Sequence, residues 1–536
     1  QFNNLERPYM KELILRHKTK VFIMIILTVL ASGTNIFAGY ALTYFYDIAV
    51  SKNIKDAITT AIFILVCWVM SVITAYFSEL YNFGLIKTFN NDLRQSMLNK
   101  ITLLNIEEYA EKEPGEYASW IVNDINQIEK NSIIPFFNLT SSLATLFFAF
   151  MALIKIHPLL IGLTIVGSVI LTIVPRVFKK SINDSTAKLT TINEGFTQKA
   201  YDLISGYEIF YVFNNRENLL KKLSKIYTPL ETEKFKFNKK NAQMTMYSDV
   251  IFRIFETSIE IVTAIMASFS LVSVGMIFSV SNIVNRFLNA INSFFANIVL
   301  MNSSSFIFEK IKSVKNEDNR KELSEITHSV TLNDFSIQYG DKKIFDKRNF
   351  EFKVGGKYAI LGESGSGKTS IARAVLGINS NYSGMINFDG HNLKEFANES
   401  ILKQISYVNQ NTYIFNDTIR FNLTLGEDFT DEELLCVLSK VNLGSFIDSQ
   451  ANGLDTVLGD SGKNISGGQK QRLVIARAFL QEKTFFIVDE GTSALDHKNA
   501  TVITDLLLNN PEYTLILITH NMSETIYEKF DKIYYL

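Results

Sequence analysis

Gly362-Glu363-Ser364-Gly365-Ser366-Gly367-Lys368-Thr369 fits the spacing of a Gly, four residues, then Gly-Lys-Thr. That pattern turns backbone N–H groups toward phosphate oxygens. The glycines allow the close approach, and a helix N-terminus behind them adds partial positive charge. Lys368 can reach terminal phosphates, the Thr369 hydroxyl can help hold Mg²⁺, and Glu363, Ser364 and Ser370 belong to the same cradle. A second cluster, Asp489-Glu490, ends the apolar run Phe485-Phe-Ile-Val488. Two carboxylates there suit hydrolysis of a Mg-bound nucleotide, Asp489 toward the metal and Glu490 toward the attacking water. A third cluster, Ser466-Gly467-Gly468-Gln469, opens a helix and makes a second anion-binding N-terminus. Tyr339, upstream of the loop, could stack on adenine or be an ordinary surface tyrosine.

Elements that would position these groups are readable nearby. Tyr358-Ala-Ile-Leu361 predicts a short buried strand and Ser370–Leu376 a helix, the strand–loop–helix context that the phosphate loop needs. Val330–Tyr339 predicts a strand ended by a Gly340-Asp341 turn. The soluble-looking α/β region is expected over residues 329–536, after a charged linker at 313–328.

The preceding 1–312 reads differently. The 536-residue chain is near neutral, with a net charge of −1, which gives no case for a nucleic-acid partner. Its long apolar runs are concentrated in the first half. Val21–Tyr46, Ala57–Phe77, Ile133–Ile154 and Pro158–Pro175 contain no charged residue, and the three longer than about 20 residues suffice to cross a hydrocarbon core unaided. Lys11, Arg16, Lys18 and Lys20 place the N-terminal side in the cytoplasm. A nucleotide-binding region must face the same compartment, so the number of spans is even. The weakly charged stretch from about 250 to 308 then holds two spans with an outer turn near Gly275. Six are expected, at about 21–46, 57–77, 133–154, 158–175, 250–273 and 277–300. The inner connections are long and helix-patterned, so helices should extend well into the cytoplasm. No leader pattern precedes the first span, and Cys67 and Cys436 lie too far apart in character to suggest a disulfide framework.

Two polar stripes mark the last spans. Asp249, Arg253, Glu256 and Glu260 share one face of the fifth helix, and Asn282, Asn285 and Asn289 share one face of the sixth, with Arg286 beside them. Charges at membrane depth face a bundle interior or a watery cavity. They read as a candidate substrate pathway, or as groups that satisfy one another, since Asp249–Arg253 and Arg253–Glu256 have pairing spacing.

Ile465-Ser466-Gly467-Gly468-Gln469, followed by Lys470–Ala478, resembles the signature of ABC ATPases, with Ile465 where Leu is usual. The resemblance implies that this signature caps the γ-phosphate of ATP held by another subunit, so that two domains sandwich two ATP molecules. Gln410 then matches the Q-loop that touches Mg²⁺, Ser493–Asp496 the D-loop with Asp496 acting in trans, and His520 the switch histidine. Leu458–Gly462 matches the segment that meets the coupling helices, and Gly491 stands where Ala is usual. The membrane half resembles the exporter-type transmembrane domain, with Leu93–Asp124 and Gly206–Glu217 as its intracellular loops. The resemblance implies an all-α six-helix transmembrane domain followed by an α/β P-loop ATPase in the cell membrane. It implies a half-transporter working as a homodimer or with a similar partner, with ATP and Mg²⁺ as cofactors and membrane lipid as surroundings. Catalysis would fall to Glu490, His520 and Lys368. Export of a polar or peptide, drug-like or lipid cargo is the first expectation, and uptake of a metal chelate through the same fold the alternative. A soluble ABC ATPase and an ATP-gated regulator are disfavoured by the apolar spans and by Glu490.

Overall fold

A computed structural model describes residues 7–50, 54–303, 320–339, 342–363, 365–410, 412–491, 495, 497–520 and 524–536. The chain divides into two compact units, residues 1–102 with 113–314, and residues 103–112 with 315–536.

The first unit is helical. Its elements are α1 (Arg7–Arg16), α2 (Lys18–Val50), α3 (Ile54–Thr102), α5 (Pro114–Ile156), α6 (Pro158–Ser205), α7 (Tyr207–Val212), α8 (Arg216–Ser268) and α9 (Gly275–Ser303), with α4 (Ile106–Ala110) falling in the other unit. α5 is one helical run carrying π turns at Trp120–Asp124 and Glu129–Ile133. Helices α2, α3, α5 and α6 are long and apolar enough to cross a membrane. The two further expected spans fall in α8 and α9, whose polar stripes and charged extension keep them outside that group. α3 has 49 residues, α6 has 48 and α8 has 53. At 1.5 Å per residue each exceeds about 70 Å, against a hydrocarbon core of ~30 Å. More than half of each helix must therefore lie outside the apolar layer. Phe22, Leu30, Ile62, Leu65, Val69 and Phe147 are all more than half exposed, a pattern suited to lipid rather than water.

Polar contacts lock the membrane unit over long sequence separations. Thr43 Oγ1 donates to Ser279 Oγ at 2.6 Å, and the Gly275 N–H donates to Asp47 Oδ1 at 2.7 Å. Gly275 is required there, because a Cβ would lie 2.2 Å from the Thr43 carbonyl oxygen. The turn before it, with Ser270 at φ 59°, lies where the outer turn is expected. His17 bonds Asp92 at 2.9 Å and the His157 ring caps α6, so both serve structure.

The second unit contains two sheets. The antiparallel one orders as β2-β1-β4-β5, from β1 (Ser329–Tyr339), β2 (Lys342–Lys353), β4 (Tyr382–Phe388) and β5 (His391–Asn392). The parallel one orders as β6-β7-β8-β3-β9, from β3 (Lys357–Leu361), β6 (Ile405–Val408), β7 (Phe485–Asp489), β8 (Thr514–Thr519) and β9 (Lys532–Tyr535). β3 and β7 are buried along their whole length, as parallel strands covered on both faces must be. All the loops that could hold a ligand therefore emerge from the carboxyl ends of β3, β6, β7 and β8.

Two contacts tie down the margins of this unit. The Asp389 carboxylate accepts from the backbone N–H groups of Thr327, His328 and Ser329 at 2.7–2.8 Å, fixing the entry into β1. Those bonds hold its pKa below the usual carboxylate range, against burial, which opposes them. In segment 103–112, Asn105 and Glu108 form a capping box on α4, and the Glu107 carboxylate accepts from the Ser380 N–H and hydroxyl, each at 2.6 Å.

Candidate functional site

The phosphate loop leaves β3 at Leu361 and enters α10 (Lys368–Val375). Gly365 and Gly367 sit at φ 82° and 92°, a region open to glycine at little cost. A Cβ on Gly367 would also lie 2.7 Å from Ile344 and Phe345. Lys368 is almost fully buried, and its Nζ donates to the carbonyls of Gly362 (2.8 Å) and Glu363 (2.7 Å). The ammonium is thus folded back onto its own loop, at the place where phosphate oxygens would otherwise meet it. Ser366 Oγ is buried and has no hydrogen-bond partner. Thr369 and Ser370 form the first turn of α10.

Asp489 ends β7 with a relative exposure of only 1%. Its Oδ2 lies 3.4 Å from the Tyr407 hydroxyl, and the Thr369 hydroxyl bonds the same carboxylate. Its Oδ1 is buried and has no hydrogen-bond partner among the described residues. Burial raises the Asp489 pKa, and the neighbouring Glu490 charge raises it further. Burial also raises that of Tyr407, reinforced by the Asp489 charge. A buried, unsatisfied carboxylate oxygen on a group that also meets the Thr369 and Tyr407 hydroxyls is a fitting place for a hard divalent cation, whose preferred ligands are oxygens. Mg²⁺ therefore fits the residues present.

Glu490 follows immediately, at φ 50°, a left-handed conformation that costs a non-glycine residue energy and clusters at functional sites. Four groups fix it. Its N–H donates to Ile518 O at 2.9 Å, and Gln471 Nε2 donates to its carbonyl at 3.2 Å. Gln410 Nε2 donates to Oε2 at 2.7 Å, and His520 Nδ1 stands 3.6 Å from Oε1. Residues from three separated segments thus hold Glu490, two at its backbone and two at its carboxylate. Gly491 is closely confined, since a Cβ would come within 2.6 Å of Val488 and 2.9 Å of Val408.

The Ser-Gly-Gly-Gln cluster caps α11 (Gly467–Leu480). Ser466 Oγ accepts from the Gln469 N–H at 3.2 Å, while Gln469 Oε1 accepts from the Ser466 N–H at 2.8 Å. Both residues bond each other rather than the phosphate loop. Among the described residues, a Cβ on Gly467 would meet nothing within 4 Å, so the helix start is open at that position. Leu458 is buried, and its N–H bonds the Asp417 carbonyl at 3.0 Å, while Asn416 bonds Asp460 at 2.5 Å. The stretch after Gln410 and the segment Leu458–Gly462 are thereby laced together. Ser364 and Asp496 lie outside the described residues, as does the side chain of Tyr339.

In the membrane unit the two polar stripes separate. Glu256, Glu260, Asn282, Asn285, Arg286 and Asn289 line one cavity of about 880 Å³, while Asp249 and Arg253 do not. Arg253 instead pairs with Glu256 at 2.7 Å, so Glu256 both lines the cavity and carries an ion pair.

A model described as the ABC transporter transmembrane region matches residues 21–291, just over half of the chain. A second, described as ABC transporter, matches residues 345–493. The chain belongs to the ABC transporters. This ABC transporter is 34% identical over 220 residues to an ATP-dependent lipid A-core flippase of Francisella tularensis subsp. holarctica (strain OSU18), covering 40% of this chain and 36% of that protein. It is 36% identical over 198 residues to the microcin-J25 export ATP-binding/permease protein of Escherichia coli, covering 36% of this chain and 34% of that one. The matched stretch thus spans about a third of each curated relative. Among solved structures, a bacterial Atm1-family ABC exporter with ATP bound has a similar fold, with a TM-score of 0.83 at 20% identity over 97% of this chain and 93% of that one. The protein is therefore a multi-pass membrane protein with a cytoplasmic nucleotide-binding half.

Three residues of the site escaped sequence reasoning. Tyr407 was visible only as a polar aromatic in an apolar strand. Gln471 was visible only as an amide on the buried side of α11, and Glu107 gave no signal, because its partner Ser380 is distant in sequence.

Proposed function

We propose that this chain is an ATP-driven export half-transporter with six membrane spans, active as a dimer of itself or with a similar chain. Glycines 362, 365 and 367 with Glu363, Ser364, Ser366 and Ser370 cradle the phosphates, and Tyr339 stacks on the base. Lys368 exchanges its two loop carbonyls for β- and γ-phosphate oxygens. Mg²⁺, held by Thr369, Gln410 and Asp489, supplies charge neutralisation at the phosphate oxygens. Glu490 orients a water and accepts its proton as the oxygen attacks the γ-phosphorus. The bond to the bridging oxygen breaks, and its electron pair leaves with ADP. His520 holds the γ-phosphate side of Glu490. Ser466, Gly467, Gly468, Gln469 and Asp496 complete the site on the opposite subunit.

The observation that carries this reading is the convergence of Gln410, Gln471 and His520 on Glu490, one residue beyond a buried carboxylate with an orphaned oxygen. The open, self-capped start of α11 supports a site shared between subunits. The named relatives, a flippase and an exporter, support export over uptake. The test is ATP turnover by the purified, membrane-reconstituted protein and its Glu490→Gln variant. Turnover should vanish while ATP binding persists, and unchanged hydrolysis would refute the role of Glu490. In inside-out vesicles, ATP-driven accumulation of a cargo is expected, and accumulation only in right-side-out vesicles would overturn the direction.

A further inference from the structure

The cavity between α5, α8 and α9 holds more polar character than solubility or packing requires. Its lining includes two carboxylates, Glu256 and Glu260, and one guanidinium, Arg286, with Ile277, Phe278 and Ala290 as its apolar members among the described residues. A charge at membrane depth is retained at a cost of several kcal/mol unless it has a partner or a task. The charges differ in how far they are satisfied.

Glu256 is answered: Arg253 Nη1 lies 2.7 Å from one oxygen and Asn285 Nδ2 2.6 Å from the other. Glu260 has only a hydroxyl, that of Ser281. Arg286 has two neutral amide oxygens, of Asn282 and Asn35, and lies 5.6 Å above the Trp68 ring. Among the described residues no carboxylate pairs with Arg286 and no cation pairs with Glu260. The cavity therefore presents one unneutralised negative and one unneutralised positive group to the same space. Gly39 keeps room for this arrangement, since a Cβ there would sit 2.9 Å from Asn282 Oδ1.

The spacing of the two charges follows from their anchors. Glu260 is held at position 281 and Arg286 at position 282, adjacent residues about 100° apart around one helix. They face neighbouring sectors without forming an ion pair. The apolar lining of Ile277, Phe278 and Ala290 is short for an acyl chain, whereas the planar fork of Arg286 suits a carboxylate.

We propose that this cavity binds a small soluble zwitterion, its ammonium at Glu260 and its carboxylate at Arg286, a short peptide with free termini being the matching chemistry. A phosphoethanolamine headgroup shares the ammonium–anion pairing, and the experiment separates it by source. The proposal rests on the export reading of the same chain.

The test uses the full-length protein in phosphatidylcholine liposomes and reads ATPase stimulation relative to the basal rate of each variant. Probes are L-alanyl-L-alanine, its N-acetyl form, its C-terminal amide, soluble glycerophosphoethanolamine, and phosphatidylethanolamine added to the bilayer. Free dialanine should stimulate at concentrations at least tenfold below either blocked form. In Glu260→Gln the N-acetyl penalty should disappear while the amide penalty remains. In Arg286→Gln the reverse should hold. A merely structural role for these residues would lower stimulation by all forms together and leave the two penalties intact, which overturns the proposal. Stimulation by phosphatidylethanolamine but not by dialanine or glycerophosphoethanolamine assigns the cavity to lipid and also overturns it. Vesicles that turn over ATP yet never accumulate any probe or known exported compound would instead count against the export reading itself.

Discussion

The two halves of this molecule use polar groups in opposite ways. In the ATPase unit, Lys368, Asp489 and Gln471 are buried to within 5% exposure or less and sit at the carboxyl ends of neighbouring strands or on helices packed against them. Each is aimed by rigid backbone at one place. In the membrane unit, Arg286, Asn282 and Asn289 lie half-buried or exposed along one helix and face a large open volume. A fixed chemistry on one invariant substrate favours the first arrangement, because misplacement by about 1 Å can cost a hundredfold in rate. A binding cavity favours the second, where several weaker contacts share the discrimination. Damage to the ATPase unit should therefore appear as loss of rate, and damage to the membrane unit as altered selectivity or altered stability.

The largest effect should come from Glu490→Gln, with ATP turnover falling about a thousandfold while nucleotide affinity, read by fluorescent-nucleotide titration, changes little. Gln471→Leu comes next and probes rigidity directly. It removes the donor to the Glu490 carbonyl at 3.2 Å without touching the carboxylate. kcat should drop on the order of a hundredfold with KM nearly constant. An increase in KM alone would show that Gln471 serves binding instead. Gly275→Ala tests the membrane half. Its Cβ has only 2.2 Å to the Thr43 carbonyl, so backbone must shift at a cost of ~1–3 kcal/mol. The detergent-solubilised protein should melt several degrees lower, while its ATPase rate per folded molecule is retained. The smallest effect is expected at Asp389→Asn, which weakens three charge-assisted bonds at the entrance to β1 and should cost about 1–2 kcal/mol. Because the Asp389 pKa is depressed in the folded state, its contribution is present above the ordinary carboxylate range and fades as pH falls through the folded value. The gap between wild type and variant should narrow in that acid window, and a gap independent of pH would remove the charge from the explanation.

The same contrast governs what could be read from the sequence. Gly362–Thr369, Ser466–Gln469 and Asp489-Glu490 are contiguous, and their spacing is dictated by one phosphate-bearing ligand, so the local pattern carries the chemistry. The long cytoplasmic extensions were also legible, because helical periodicity continued past the end of each apolar run. The membrane contacts were not. Asn35–Arg286, Thr43–Ser279 and Asp47–Gly275 join residues 251, 236 and 228 positions apart, and no short window holds both partners. The stripe on α8 was visible as one face, yet which of its members face the cavity, Glu256 and Glu260 but not Asp249 or Arg253, depends on where α9 packs. Gly491 looked like a neutral departure from alanine, and only the packing of Val408 and Val488 around it gives it a reason.

The open start of α11 carries a genetic consequence. In the proposed dimer of identical chains, a subunit altered at Gly467 would keep its own phosphate loop and spoil the one presented by its neighbour. With altered and normal copies expressed equally, random pairing would leave about one assembly in four wholly normal. Such an allele would behave as partly dominant, whereas loss of the whole chain would be recessive.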